Sequence, residues 1–265
     1  MTSWLDGTGA SILRFIDAYT VRARLFPAIL GAAPALAALT LLISWKNFEL
    51  SNLIATLALL VLVYALSDWA RKAGKDIEPR LYQEMGGKPS VMMMFRSDQE
   101  IDPASKDRYR AFLATKINRP EPSTAVEQND PETAKSFYEL TGTWLRENTR
   151  DAKKFPILFN ELVTYGFRRS LLGVKWPALA LNLVVVLICA GLLWHRWPAN
   201  VDDGSAARIA VVLIVAAAHA LYFLFVVGPE SVKTASRTYA RQLILSCETF
   251  LAGAKATRAP KARSI

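Results

Sequence analysis

The polar residues whose spacing is best suited to chemistry form a basic set near the end of a long charged region. Three uses are open for it. Arginine forks suit phosphate groups, so the set could bind an anionic ligand such as a nucleotide. Cations beside a membrane also attract anionic lipid headgroups, or they can simply set the orientation of a membrane helix. The set comprises Arg146, Arg150, Lys153, Lys154, Arg168, Arg169 and Lys175.

The charged region that contains this set, residues 71 to 175, is mixed in sign. It holds nineteen Lys and Arg against fifteen Asp and Glu, a net charge of only +4 within a chain of net charge +9. A nucleic-acid-binding domain has a dominant basic face. We therefore do not expect a nucleic-acid partner.

Residue types needed for catalysis are sparse. The two histidines, His195 and His219, lie in or beside apolar segments, which excludes a histidine-based triad in the charged region. The chain has no Walker loop, dinucleotide-binding glycine motif, nucleophile elbow, HExxH or EF-hand. Asp98, Glu100 and Asp102 precede a helix start, where closely spaced acids are usually solvated. We expect no enzyme activity, no cofactor and no metal.

Four apolar blocks of the sequence determine where the polar residues are placed. A membrane-spanning helix needs about 17–25 predominantly apolar residues, and soluble core helices show polar faces that these blocks lack. We predict an all-α, integral membrane fold of two transmembrane hairpins flanking a small helical domain. The blocks are Leu25–Ile43, Leu53–Ser67, Trp176–Trp194 and Ile209–Gly228.

The distribution of cations predicts the orientation of these spans. The two short connections, Lys46–Asn52 and His195–Arg208, hold only three of the 32 Lys and Arg. Cationic residues near span ends stay on the cytoplasmic side. Both termini and the charged region are therefore predicted to be cytoplasmic. Tryptophans fall where an aromatic belt is expected, at Trp45, Trp176, Trp194 and Trp197.

A few residues stand out within or beside the predicted spans. Asn182 and His219 are polar, and such groups either hydrogen-bond across helices or line a pore. Asp68 is either an ion site or the partner of a nearby Arg71 or Lys72. Pro34 should kink the first span, as a bundle-packing feature or as a gating hinge.

Helix signals divide the charged region. Asp102-Pro103 and Asp130-Pro131 each place a capping residue before a first-turn proline. The second of these helices has an apolar stripe from Ala134 to Leu145. Residues 118–130 are predicted to form a loop. A helix from Pro156 is predicted to run into the third span, with Gly166 and Gly173 as tolerated weak points.

These assignments give five segments. Residues 1–24 form an amphipathic helix, 25–70 the first transmembrane hairpin, and 71–175 the cytoplasmic helical domain. Residues 176–229 form the second hairpin, and 230–265 a cytoplasmic helix with a basic, disordered tail from Ala254.

One pattern resembles a family of uncharacterised bacterial four-span membrane proteins, and the similarity covers about residues 15–180. It consists of Gly74-Lys75, Glu78-Pro79-Arg80-Leu81-Tyr82, Gly86-Gly87-Lys88-Pro89, Lys106, Arg108-Tyr109, Thr149-Arg150-Asp151, Phe155-Pro156, Phe159, Glu161 and Tyr165-Gly166-Phe167-Arg168-Arg169. The resemblance implies a bacterial membrane protein and brings no activity with it; we expect the chain to lie in the inner membrane. In layout alone, the chain is also similar to membrane effectors of anti-phage systems, which is an analogy of architecture.

Two functions remain open. The chain could be a homo-oligomeric, membrane-perturbing or channel-like effector, controlled through its cytoplasmic domain. Alternatively, it could be a membrane anchor that recruits a soluble protein partner. In either case we expect contact with a bilayer containing anionic headgroups.

Overall fold

A computed structural model describes residues 18–42, 52–196 and 204–258. Over these residues the chain is helical with no strand, which confirms the all-α prediction. The predicted N-terminal amphipathic helix lies mostly outside the described residues. The chain divides into two compact units. Unit 1 comprises residues 1–78 and 163–232, and unit 2 comprises residues 79–162 and 233–265.

Unit 1 contains the long apolar helices. Three helices in the described part of the chain are long and apolar enough to cross a membrane: α1 (Val21–Leu42), α9 (Lys175–Arg196) and α10 (Ser205–Val226). The second predicted span lies in α2 (Asn52–Asp76), a helix of 25 residues. Whether α2 also crosses a membrane stays a prediction.

Large apolar side chains lie on the outside of unit 1. Leu187, Trp194, Ile214 and Phe225 are all exposed. Its interior includes smaller groups, such as Cys189 packed in an apolar cluster. Extensive exposed apolar surface marks a membrane or protein interaction site.

Unit 2 is built from shorter helices. They are α3 (Glu78–Glu84), α4 (Pro89–Met92), α5 (Pro103–Ile117), α6 (Thr124–Asn129), α7 (Pro131–Asn148), the start of α8 (Pro156–Gly173), most of α11 (Pro229–Leu245) and α12 (Cys247–Arg258). Both predicted caps are confirmed. Asp102 accepts a hydrogen bond from Ser105 N at 2.9 Å, and Asp130 accepts one from Thr133 N at 3.2 Å.

The core of unit 2 contains the predicted stripe of α7, including buried Phe137, Tyr138 and Leu145. It also contains two buried cations. Lys106 Nζ donates to the carbonyls of Phe95 at 2.7 Å and Asp98 at 2.5 Å. Burial lowers the pKa of Lys106. The lysine therefore holds the turn before α5 in place by satisfying buried carbonyls.

Buried Arg110 is the second cation, one helical turn after Lys106. Its Nη1 donates to the carbonyl of Met94 at 3.0 Å, and it also pairs with Asp107. Two cations at positions i and i+4 of one helix therefore face the core.

Several boundaries differ from those expected. The predicted loop at 118–130 contains α6, because Ser123 caps its first turn and Glu127 is held by Arg96 and Tyr138. The region predicted to be disordered from Ala254 is helical as far as Arg258.

Helix α8 runs into α9 as expected, with a single turn residue, Val174, between them. Helical hydrogen bonds continue across it, from Val174 N to Ser170 O at 3.2 Å and from Ala178 N to Val174 O at 2.9 Å. The chain upstream is less continuous. Helix α2 ends at Asp76, and α3 begins at Glu78 beside the predicted break at Pro79. Gly86 and Gly87, with φ of 78° and 143°, then follow the end of α3.

Candidate functional site

Unit 1 contains a polar cluster, which we call the polar clasp: Glu78, Tyr165, Arg168, Arg169 and Ser231. The carboxylate of Glu78 accepts hydrogen bonds from both Tyr165 Oη and Arg169 Nη1. Arg168 Nη1 donates to the carbonyl of Ser231 at 3.1 Å. The clasp therefore joins side chains and backbone from three separate segments of unit 1.

The three segments have a common property in the chain. The backbone passes from one unit to the other between residues 78 and 79, 162 and 163, and 232 and 233. Glu78 is the last residue before the first passage. Tyr165 follows the second closely, and Ser231 shortly precedes the third. Within unit 1, the clasp thus ties together the chain segments next to all three passages.

Arg169 is the buried member of the clasp, with 8% of the residue exposed. Its guanidinium carbon lies 5.3 Å from the ring centroid of Tyr165. Burial disfavours the charged form, but the charge and hydrogen bond of Glu78 outweigh this and raise the pKa of Arg169. Its Nε is buried without a hydrogen-bond partner in the described residues. The charge thus depends on Glu78, because an uncompensated buried charge is strongly destabilising.

Glycines bring the helices around the clasp close together. A Cβ on Gly173 would lie 2.4 Å from Gly74 N, and one on Gly74 would lie 2.9 Å from Ser170 Cα. A Cβ on Gly166 would lie 2.9 Å from Ala23 Cβ. Gly166 and Gly173 are tolerated within the helix Pro156–Gly173, as expected, and both are also positions of close helix contact. The spacing of small residues is the signal that could have found them.

The predicted basic set is divided between the units. In unit 2, Arg146 donates to Thr143 Oγ1 at 3.0 Å, Arg150 pairs with Glu147, and Lys153 is exposed. Lys154 Nζ lies 5.5 and 5.3 Å from two aromatic ring centroids, those of Phe155 and Phe250.

The other three members of the set lie in unit 1. Arg168 and Arg169 belong to the clasp. Lys175 Nζ donates to the carbonyl of Val227 at 2.6 Å, just past the end of α10. The structure therefore brings Arg168 and Arg169 together but gives these three cations partners inside the protein. Their contact with an anionic lipid or ligand stays a prediction.

Asn182 and His219 lie within the apolar helices of unit 1 and are buried. Asn182 Nδ2 donates to the carbonyl of Ala216 on α10 at 3.0 Å, a cross-helix bond of the predicted kind. The imidazole of His219 stacks on Phe223, with ring centroids 4.4 Å apart. It also lies beside the backbone of α1, at Leu30 and Gly31, without full hydrogen-bond geometry at either nitrogen.

Pro34 lies inside α1 and is buried. A proline has no N–H, so the carbonyl of Leu30 lacks its usual helical donor. His219 is next to that carbonyl, which suits a side chain that completes a proline-interrupted helix. A hinge role for Pro34 stays a prediction. Asp68 is exposed, and no ion pair among the described residues includes it, so the expected partnership with Arg71 or Lys72 is not formed.

The described residues contain no group of three or more His, Cys, Asp or Glu arranged to hold a metal ion. No family model, curated protein or solved structure matches the chain.

Proposed function

We propose that this chain is a four-span protein of the bacterial inner membrane, with unit 2 and both termini in the cytoplasm. It acts as an oligomeric membrane effector, and binding of a partner or ligand at unit 2 controls its membrane helices. The polar clasp is the observation that carries this proposal. A link between the units has to act on the segments that connect them, and the clasp lies on all three.

The clasp has the physical properties of a switch. Separating Arg169 from Glu78 leaves a buried cation without its counter-ion, so intermediate arrangements are unfavourable. A ligand can favour a rearranged state only by the difference in its affinity for the two states. Strain on the first or second connecting segment would act on the Glu78–Arg169 ion pair, and strain on the third would act on the hydrogen bond between Ser231 and Arg168, the neighbour of Arg169.

The interior of unit 1 favours an oligomer if the protein perturbs membranes. Val185, Cys189, Ile209 and Val212 form an apolar cluster between α9 and α10. Within the part of unit 1 that the structure describes, such a core offers ions no polar path through one copy. Ion flux would therefore need several copies, with the path lying between them.

The same apolar core favours a second function. A packed bundle with exposed apolar side chains is sufficient for an anchor, and unit 2 has a hydrophobic core of its own. In this alternative, unit 2 recruits a soluble protein to the membrane and the bundle stays inert.

Dye release from liposomes containing the purified protein separates the two functions. Three samples suffice: the wild type, an Arg169→Met variant with a broken clasp, and an Arg80→Met control at an exposed ion pair. The effector proposal predicts that the clasp variant changes release relative to both others. Tight liposomes in all three samples, together with a soluble protein that co-purifies with unit 2, would favour the anchor.

A further inference from the structure

Unit 1 contains an apolar cavity of about 240 Å³ among α1, α2 and α9. Gly31, Leu66, Trp69, Val174 and Ala178 are among the residues that line it. Small residues create the space. A Cβ added at Gly31 would lie 3.5 Å from Val174 and from Ala178, which is an ordinary contact distance. The space beside Gly31 is therefore large enough for a further carbon atom.

The lining decides what can occupy this cavity. Cavities without polar partners do not hold ordered water, and they bind apolar molecules instead. Three lining residues, Trp69, Pro177 and Leu181, are exposed at the surface of unit 1. The cavity is therefore open to the surrounding medium, which in a bilayer is lipid.

Two cations lie about one helical turn from the lining. Arg24 precedes the lining residue Ala28 by four positions on α1, which places both on one face of the helix. Lys72 follows Trp69 by three positions on α2 and is exposed. Side chains in helices lean towards the N-terminus, so Lys72 leans back towards the turn of Trp69.

Arg24 has an unused hydrogen-bond donor. Its guanidinium carbon lies 5.3 Å from the ring centroid of Tyr19. Its Nε is buried, and no described residue accepts a hydrogen bond from it, whereas the residue as a whole is only partly buried. Guanidinium groups bind phosphate through several N–H donors at once, which suits a headgroup beside this side chain.

We propose that this cavity binds one acyl chain of an anionic phospholipid, whose phosphate is held by Arg24 and Lys72. The inference rests on the proposed membrane orientation, in which α1 enters from the cytoplasm and α2 returns to it. In that orientation both cations are on the cytoplasmic side of the cavity. The headgroup would then lie at the two cations and the acyl chain in the cavity, at the depths that these two parts of a lipid have in a bilayer.

Quenching of tryptophan fluorescence by brominated lipid tests the proposal at the cavity itself. The protein is reconstituted in mixed vesicles of phosphatidylglycerol and phosphatidylcholine, with bromine on the acyl chains of one lipid at a time. The signal lost in a Trp69→Phe variant gives the contribution of the cavity. The wild type should prefer phosphatidylglycerol there, and replacing Arg24 or Lys72 with Gln should lower that preference about fivefold for each cation.

Filling the cavity gives an independent arm. Ala32 lines the cavity and Ala33 does not. Ala32→Leu should reduce quenching of Trp69 by both lipids, whereas Ala33→Leu should leave it unchanged. Arg24→Lys with Lys72→Arg keeps both charges and should retain the preference, which shows that a loss in the Gln variants is not misfolding.

Several results would overturn the lipid site. The first is equal quenching by both lipids in the wild type. The second is an undiminished preference for phosphatidylglycerol in the variant with both Arg24→Gln and Lys72→Gln. The third is an equal loss of that preference when exposed Arg237 and Lys116 are replaced with Gln. Extraction with alkaline carbonate separates this failure from that of the proposed function. Release of the wild type from membranes would refute the membrane assignment. Retention without a lipid preference would refute only the site.

Discussion

Replacing Arg169 with methionine tests whether the polar clasp is energetically coupled. The Arg169 side chain is 9% exposed and that of Glu78 is 21% exposed, so the pair is largely removed from water. Breaking a buried pair by removing one partner costs about 3–5 kcal/mol. Glu78 keeps its hydrogen bond from Tyr165 and some exposure. We therefore expect a loss at the low end, about 3 kcal/mol.

The assay is thermal unfolding of the purified protein in detergent, followed by tryptophan fluorescence. A change of 1 kcal/mol shifts the midpoint by about 2–4 °C in chains of 150–250 residues, so the midpoint should fall by about 6–12 °C. Exposed pairs contribute about 0–1 kcal/mol. The matched variant Arg80→Met, whose side chain is 85% exposed, should therefore shift the midpoint little.

A second substitution decides whether the loss comes from the ion pair. Replacing a buried pair with uncharged groups of similar volume is often nearly neutral. Arg169→Met combined with Glu78→Gln should therefore recover most of the lost midpoint, because the amide oxygen introduced by Glu78→Gln would still accept from Tyr165. If the two single losses simply add in the double variant, the coupling is absent and the reasoning fails.

Three further predictions follow from contacts in each unit. Gly173→Ala should lower the unfolding midpoint, because the added Cβ would lie only 2.4 Å from Gly74 N. Gly191→Ala should not, because the space around Gly191 is open, and equal effects of the two changes would contradict the close helix crossing. His219→Ala should destabilise the wild type more than a Pro34→Ala variant, which regains the missing N–H donor; equal losses in both backgrounds would refute that partnership. Burial and a hydrogen bond to a glutamate raise the pKa of Tyr109 to about 12, above its unfolded value. The stability that Tyr109 contributes should be present below pH 10 and lost as the pH rises towards 12. In a pH titration followed by absorbance at 295 nm, Tyr109→Phe should remove one phenol that ionises late.

The local features of this fold were predictable from the sequence. Asp102 and Asp130 were identified as caps because a cap depends on residues only three positions away. The stripe of α7 was identified because burial repeats at helical spacing. In each case the information lies within one element, so no knowledge of its neighbours is needed.

Features that depend on distant partners were not predictable. Lys106 and Arg110 look like solvated charges in a helix, and they are buried only because backbone carbonyls from the preceding segment accept their hydrogen bonds. Arg169 is assigned to the basic set in the sequence, because its partner Glu78 is 91 positions away and no local pattern connects the two. The close crossing at Gly173 likewise depends on the backbone of α2. The spacing of small residues in α8 can indicate a close contact, but it does not identify the partner helix.

Accessibility of single cysteines to a membrane-impermeant thiol reagent tests whether the chain crosses the membrane four times with unit 2 in the cytoplasm. The native Cys189 and Cys247 are buried, which keeps the background low. With four spans, cysteines introduced by Asn47→Cys and Ala199→Cys should react in intact cells, and one introduced by Ser97→Cys, at an exposed position, should react only after lysis. Reaction of Ser97→Cys in intact cells would show that α2 does not return the chain to the cytoplasm, and would contradict the four-span topology.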